Sequence, residues 1–325
     1  MPVTSVTATI GVAKQASSGT LAANPTFAHG LMSGTPITVE ATQSTLEVTT
    51  GKRAAANVIR ESVKSTVEVN APAYLKTLGL YLLGALGTKV TTGAGPYVHT
   101  YATGDLSYLS FFLKGIGATN EAVRDCKIDE LTLKFENAKP VEVNVKAAGT
   151  VFSYPAAFVP TTDETAGEGF LTPTGGTFSV DVIGGSPAAA RVISGELTIK
   201  NNIATIDTSA SVVPADTQEG IQEHTLKLTI VPDDLAAFRS TITGASNGTT
   251  VSQTVPVGSV SLSFGENGGT GSLAITGTKI AFLTAFPEVD PKGAPIEIEL
   301  AGTAVVPNGG TSPLTYVLTN GQATY

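Results

Sequence analysis

Apolar and polar residues alternate along much of the chain, which is the pattern of strands with one buried and one exposed face. In the segment from Glu130 to Glu136 every second residue is apolar. After the turn-like residues 137–140 the alternation resumes at Val141, Val143 and Val145, which predicts a hairpin. The same alternation predicts further strands around Leu197/Ile199, Leu226/Leu228/Ile230, Val260/Leu262/Phe264, Leu273/Ile275 and Ile296/Ile298/Leu300.

Two stretches have the three- and four-residue spacing of a helix. The first follows Pro72, and its apolar stripe is formed by Leu75, Leu78, Leu82 and Leu86. The second follows Pro232 and begins with two aspartates, which suit the positive end of a helix dipole. We expect both helices to pack against a sheet, with Leu235 and Phe238 of the second helix facing the core.

The order of these elements occurs twice. Each half has an alternating strand, an irregular segment, the strand that precedes the helix, and then further strands; the irregular segments are residues 51–56 and 207–220. Residue identity between the halves is low, so a true duplication stays open. We expect a first β domain at residues 1–160, a second and related one at 161–306, and a C-terminal tail at 307–325 with a flexible lead at Pro307 to Pro313.

Composition narrows the class of protein. Charged residues make up only 14% of the chain, against roughly 25% in typical soluble domains. The net charge of -8 disfavours a protein that binds nucleic acid through its phosphates. One cysteine excludes a disulfide scaffold, and the longest apolar stretch, Leu75 to Gly87, is shorter than the roughly 18 residues of a membrane span. We expect a mainly β protein without a secretory signal.

The sequence offers little that could carry catalysis or hold a metal. Residues 244–248 match the G-x-S-x-G nucleophile motif, but a helix precedes Ser246 where the motif requires a strand. His29, His99 and His224 are far apart and lack the spacing of zinc ligands, and Cys126 is read as a small buried residue. We therefore expect no catalytic residue, cofactor or metal site.

Several blocks resemble phage tail tube proteins. The run Ala8 to Gln15, followed by Gly19-Thr20 and Asn24-Pro25-Thr26, is similar to the opening of that family, although an acidic residue and a tryptophan common there are absent. The segment with Arg53 and Arg60, the Ala71-Pro72 step into the leucine-rich helix, and His99-Thr100-Tyr101 follow in the family's order. The resemblance is clearest over residues 8–135.

The resemblance implies a tail-tube β-sandwich or barrel with a short flanking helix, in one copy or duplicated in tandem. Such subunits join side by side into rings that stack into a tube, a conduit for DNA that passes without specific binding. Six chains would form a ring, or three if each chain carries two units. The long loop at about Gly51 to Arg60 would reach the next ring, and its candidate contact residues are Lys52, Arg53, Asn57 and Arg60.

The resemblance also implies other partners and a location. Tape measure and terminator proteins of the tail are expected to bind the tube, without cofactor or membrane, and the protein would be assembled in the host cytoplasm into the virion. The acidic balance suggests that aspartate and glutamate outnumber lysine and arginine on the wall of the bore. Two other classes stay open: an Ig-like surface, adhesion or capsid-decoration module, and a lyase or esterase on a β scaffold.

Overall fold

The predicted strands are present, and many of them are longer than the alternation indicates. The computed structural model describes residues 8–46, 57–116, 119–164, 169–183, 188–232, 236–245, 248–284 and 296–325. Within these ranges the chain is mainly β, with two helices.

The elements follow one another in this order: β1 (Thr9–Lys14), β2 (Phe27–Gly30), β3 (Ile37–Leu46), β4 (Asn57–Pro72), α1 (Leu75–Leu86), β5 (Gly87–Thr92), β6 (Tyr97–Thr103), β7 (Leu109–Ile116), β8 (Thr119–Glu136), β9 (Glu142–Gly149), β10 (Val151–Ser153), β11 (Thr162–Asp163), β12 (Leu171–Asp181), β13 (Ala188–Ala189), β14 (Arg191–Lys200), β15 (Ala204–Ile206), β16 (Asp216–Gln218), β17 (Glu223–Val231), α2 (Ala236–Thr243), β18 (Val257–Glu266), β19 (Ser272–Thr284), β20 (Ile298–Ala304) and β21 (Thr315–Asn320).

The strands form one long antiparallel sheet and two shorter sheets that cover it. The long sheet, called the main sheet below, has the order β3-β4-β9-β8-β14-β17-β20-β19. The first cover sheet has the order β2-β1-β7-β8-β10, and the second has the order β12-β18-β19-β21-β6-β5. Because β8 and β19 run from a cover sheet into the main sheet, they connect the layers.

The predicted hairpin around residue 138 is confirmed. Strands β8 and β9 pair in the register Lys134↔Glu142 and Leu133↔Val143, and the apolar residues of the alternation are buried. Cys126 lies within β8, and burial raises the pKa of its thiol well above the ordinary value. The thiol is therefore held in the protonated form, as expected for a small core residue.

The first helix is confirmed, and it is more deeply buried than one apolar stripe would require. Apart from Lys76, every residue of α1 is buried. The helix packs against strands of both cover sheets and against β8, which explains why its polar positions are few. The helix ends at Gly87. Glycine is required there because its φ is +94° and because the Cβ of any other residue would lie 2.3 Å from the Gly104 carbonyl oxygen.

The second helix, α2, begins at Ala236 and packs on β19. Leu235 lies outside the described residues, and so does the Phe238 side chain. The segment 207–220, which we predicted to be irregular, contains one short strand, β16, and this strand pairs with β15 just before the segment.

The two halves of the chain share backbone pairing and a core. Strand β8 pairs with β14, and β21 pairs with both β19 and β6. Residues 307–325, which we expected to form a tail, thus contribute β21 to the core, with Leu314, Tyr316 and Leu318 buried. The division at residue 160 stays a prediction, because neither half has been isolated from the other.

Candidate functional site: the polar face and the arm

The main sheet has one apolar face and one polar face, as the period-two alternation predicts. The apolar face packs against the cover sheets. Its opposite, called the polar face below, carries cross-strand rows of charged and hydroxyl side chains. Only the pairing of strands that are distant in sequence brings these rows together.

Two charged rows and one neutral row cross the centre of the polar face. The first charged row follows the register across β4, β9, β8, β14 and β17, and its members are Glu68, Lys146, Glu130, Lys200 and Glu223. The neutral row beside it consists of Asn70, Asn144, Thr132, Thr198 and Thr225. The second charged row consists of Glu142, Lys134, Glu196 and Lys227.

Opposite charges face each other between adjacent strands of these rows. The Lys146 Nζ lies 2.9 Å from a carboxylate oxygen of Glu130, and the Lys134 Nζ lies 3.4 Å from one of Glu196. Lys227 also lies 3.8 Å from Glu299 on β20. These exposed pairs contribute little stability each, about 0–1 kcal/mol. Their main consequence is a surface that is polar, nearly neutralised locally and slightly acidic, since the glutamates of the rows outnumber the lysines.

Strands β3 and β4 extend beyond the sheet as a two-stranded ribbon. This ribbon, called the arm below, consists of residues 39–46 and 57–64, in the register Leu46↔Asn57 and Glu40↔Lys64. Eight strand residues span about 25 Å. No described arm side chain is buried, and Val58 and Ile59 are 61% and 48% exposed. Consecutive strand residues point to opposite faces, so the arm exposes apolar side chains on both.

The base of the arm is held by the second half of the chain. The backbone N–H of Val63 donates to the carbonyl of Val212 at 2.7 Å, and the Lys64 Nζ lies 3.6 Å from an Asp207 carboxylate oxygen. Both partners lie between β15 and β16. The irregular segment of the second half therefore supports the arm of the first.

The structure changes the interpretation of the predicted loop residues. Asn57 and Arg60 lie in strand β4, on the arm, and not in a loop. Both side chains are exposed, which agrees with the predicted contact role, but the sequence did not indicate that β4 extends as far as these residues. Lys52 and Arg53 lie outside the described residues. The apolar pair Val58–Ile59 was missed, although two adjacent β-branched residues in a polar stretch are a signal for a strand.

The three histidines are buried structural groups. His29 Nε2 lies 2.7 Å from the Tyr81 hydroxyl, and His224 Nδ1 lies 2.9 Å from that of Tyr316. Burial lowers the pKa of both His29 and His224 to about 4, so both imidazoles are neutral at pH 7. His99 is buried as well and bonds to the Gln322 carbonyl at 2.8 Å.

Other chemistry is equally sparse in the part of the chain that the structure describes. There, no group of three histidine, cysteine, aspartate or glutamate side chains is placed to hold a metal ion. Ser246, the serine of the nucleophile-like motif, lies outside the described residues. None of the described helices is long and apolar enough to cross a membrane.

Comparison with known proteins gives one clear match. A family model described as phage tail tube protein matches residues 5–318, which is nearly the whole chain. No curated protein matches the chain. The match extends the resemblance of residues 8–135 through the second half, and the β-rich fold agrees with it. The chain therefore belongs to the phage tail tube protein family, whose members are structural components of the virion that associate with one another and with other tail proteins.

Proposed function

We propose that this protein assembles into rings that stack to form the tail tube, and that the tube conducts DNA during ejection into the host. The main sheet carries this proposal: it is a wide antiparallel sheet with one polar face, and an arm extends from one of its edges. Edge strands invite pairing with another chain, and a closed ring removes them. An arm with exposed apolar residues has the reach to contact a neighbouring ring.

The polar face suits the wall of a DNA channel. Its rows alternate in charge, so a passing phosphate meets compensating carboxylates beside each lysine. A basic wall would bind DNA through counterion release, which the near-neutral, slightly acidic rows avoid. In this arrangement the polar face lines the bore, and the cover sheets form the outside.

The ring would contain three chains if both halves of the main sheet act as tube units, and six otherwise. The other expected partners are the tape measure and terminator proteins of the tail. The role is structural and non-catalytic, without a cofactor, and assembly takes place in the host cytoplasm. The alternative Ig-like module predicts two separate sandwiches, whereas the β8–β14 pairing joins the two halves in one sheet.

Negative-stain electron microscopy of the purified chain over a range of concentrations tests this proposal. We expect annuli at intermediate concentration and stacked annuli or tubes at high concentration, because heterologous faces that close give rings and those that do not close give filaments. Dispersed monomers at every concentration would contradict the proposal and favour the surface-module class.

Charge reversal on the polar face should create DNA binding. We expect the variant Glu130→Lys/Glu196→Lys/Glu223→Lys to bind duplex DNA at least tenfold more tightly than the natural chain, with a salt dependence steeper by about 2.7 in log–log slope for three added phosphate contacts. Fluorescence anisotropy at several salt concentrations measures both quantities.

The matched control for this experiment is the glutamine variant at the same three positions. It removes the carboxylates without adding cations, so its DNA affinity should rise far less than that of the lysine variant. Tight binding of DNA by the natural chain at physiological salt would show that the wall retains DNA and would contradict passage without binding.

A further inference from the structure

A β-bulge lies near the base of the arm. The register between β3 and β4 shifts there by one residue, because Thr42 lies opposite Ser62 whereas the next residue, Gln43, lies opposite Arg60. Glu61 is therefore an extra residue in β4. A bulge of this kind bends its strand and increases the local right-handed twist. The arm thus leaves the main sheet through a built-in change of direction.

Just before the bulge, strand β4 is held on both sides. Strand β3 is its neighbour on one side, and on the other side β9 ends at Gly149, which lies opposite Ser65. Two residues further along β4, the Val63 N–H donates to the Val212 carbonyl at 2.7 Å. This N–H points away from β3, so Val212 takes the position that β9 has left.

The segment that supplies Val212, residues 201–222, is called the bracket below. Its two ends are fixed to the last turn of α1. The Asn201 Nδ2 and the Gln222 Nε2 both donate to the Ala85 carbonyl, at 3.0 Å and 2.9 Å. The Gln222 Nε2 also donates to the Asn201 Oδ1 at 2.7 Å, which ties the two ends to each other. The bracket is therefore a closed loop on a buried helix.

A buried lysine anchors the bracket to β8. The Lys127 Nζ lies 3.4 Å from a Glu219 carboxylate oxygen and 4.8 Å from the centre of the Tyr108 ring. The other Glu219 oxygen accepts the Leu106 N–H at 2.9 Å, and Asp216 accepts the Tyr108 hydroxyl at 2.8 Å. Only 8% of the Lys127 side chain is exposed, and a buried ammonium group is costly without a partner. These contacts fix the bracket to the core.

The direction of the arm matters because the arm is long. A change of about 20° in the direction of a ribbon about 25 Å long moves its end by about 9 Å, which is nearly two strand spacings. Such a displacement would carry the end of the arm past a contact surface, even if every side chain of the arm were unchanged.

We propose that the Glu61 bulge and the bracket together set the direction of the arm, and that this direction selects the surface of the neighbouring ring that the arm contacts. The proposal rests on the stacking role proposed above for the arm. Glu61, Lys127 and Glu219 are positioning residues, since they act on the course of the backbone. The second half of the chain thereby controls a contact that the first half makes.

Deletion of Glu61 tests the bulge. The deletion keeps the pairs Thr42–Ser62 and Gln43–Arg60, and with them the face on which each arm side chain lies. We expect the concentration of half-maximal stacking to rise at least tenfold, and any remaining tubes to have a different rotation between successive rings. Light scattering and electron cryomicroscopy measure the two quantities. The matched control Glu61→Ala keeps the bulge and should stack within twofold of the natural chain.

A shortened bracket tests the second support. Replacing residues 207–215 by Asn-Gly connects the paired residues Ile206 and Asp216 by a hairpin turn and removes Val212. The anchor at Glu219 is retained. We expect at least a tenfold rise in the same concentration, with the folded state verified by circular dichroism. The control Asp207→Ala removes only the exposed ion pair with Lys64 and should have little effect.

The direction of the arm can also be measured in the single chain, at concentrations below ring formation. Spin labels at Thr45→Cys on the arm and Val90→Cys on β5, both exposed positions, give a distance distribution by pulsed electron paramagnetic resonance. Cys126 is buried and its thiol stays protonated, so it should not be labelled. We expect one narrow distribution in the otherwise natural chain, a maximum shifted by several ångströms after deletion of Glu61, and a broader distribution with the shortened bracket.

The outcomes separate this proposal from the proposed function. Unchanged distances in both variants would overturn the positioning role, whatever their stacking. Altered distances with normal stacking and an unchanged rotation would show that the direction of the arm does not select the contact, and would leave the ring proposal standing. If the natural chain forms no tubes, the role of the arm in stacking fails, whereas altered distances would still support the bulge and the bracket as the elements that direct it.

Discussion

A chain whose arm is shortened is expected to fold normally and to lose the ability to stack rings into tubes. The variant replaces residues 45–58 by Asn-Gly, a two-residue hairpin turn that connects the paired residues Ser44 and Ile59. We expect the half-stacking concentration to rise at least a hundredfold, which corresponds to about 3 kcal/mol. The reason is that the removed segment carries the distal part of the arm, where the described side chains of Thr45, Asn57 and Val58 are all exposed. Light scattering and negative-stain microscopy measure the stacking.

Two full-length controls separate the length of the arm from its charge. In Lys52→Ala/Arg53→Ala and Asn57→Ala/Arg60→Ala the arm keeps its length but loses candidate contact groups. We expect a smaller effect than that of the shortened arm, since exposed polar contacts contribute up to about 1 kcal/mol each. Normal tubes from the shortened chain would show that the arm does not connect rings. Loss of the rings themselves would instead assign the arm a role within one ring.

The second large effect is expected at the aromatic contact between the halves. Phe135 on β8 packs against Phe178 on β12 and Phe264 on β18, with ring centroids 5.4 Å and 5.0 Å away. We expect Phe264→Ala to lower the free energy of unfolding by about 3–5 kcal/mol, because it removes a buried ring and leaves a cavity. Urea denaturation followed by circular dichroism measures this change.

The same experiment tests whether the two halves unfold together. Because the cluster joins both halves, we expect Phe135→Ala and Phe264→Ala to shift one common transition. The control Tyr154→Ala removes an aromatic ring that is 69% exposed, and its effect should stay within about 0.5 kcal/mol. A second transition that neither phenylalanine substitution moves would show that residues 1–160 and 161–306 are independent domains.

Close packing at this contact also explains a glycine. A Cβ on Gly195 would lie 2.4 Å from the Phe135 ring and 2.7 Å from the Leu228 side chain. The sequence shows a glycine that interrupts a strand pattern, a common sign of close approach. It does not show what approaches, because Phe135 is distant along the chain.

Local sequence determined the individual elements well. The end of β8 from Glu130 to Glu136 and the whole of β17 follow from alternation, because a pleated strand in a one-sided sheet places every second side chain on the buried face. Helix α1 follows from its leucine spacing. The family resemblance also came from local blocks, and the match over residues 5–318 confirmed it.

The limits of β4 and the full burial of α1 could not be predicted from the local sequence. The distal part of β4 is exposed on both faces, so alternation is absent where β3 is its one partner among the described strands. The full burial of α1 depends on the cover sheets, whose strands come from the whole chain. Pairing with β3 decided the limits of β4, and packing against the cover sheets decided the burial of α1. Neither interaction produces a periodic pattern of apolar residues in the sequence.

The sequence by itself determined a mainly β chain, its first helix, the polarity of each strand and the absence of an obvious catalytic motif. Each of these depends on side chains only a few residues apart. Tertiary structure alone decided the charged rows, the pairing of β8 with β14 and the extension of β3 and β4 into the arm. The physical reason is that strand register is set by hydrogen bonds and packing between distant segments, so the neighbours of a residue such as Glu130 are specified only when the sheet forms.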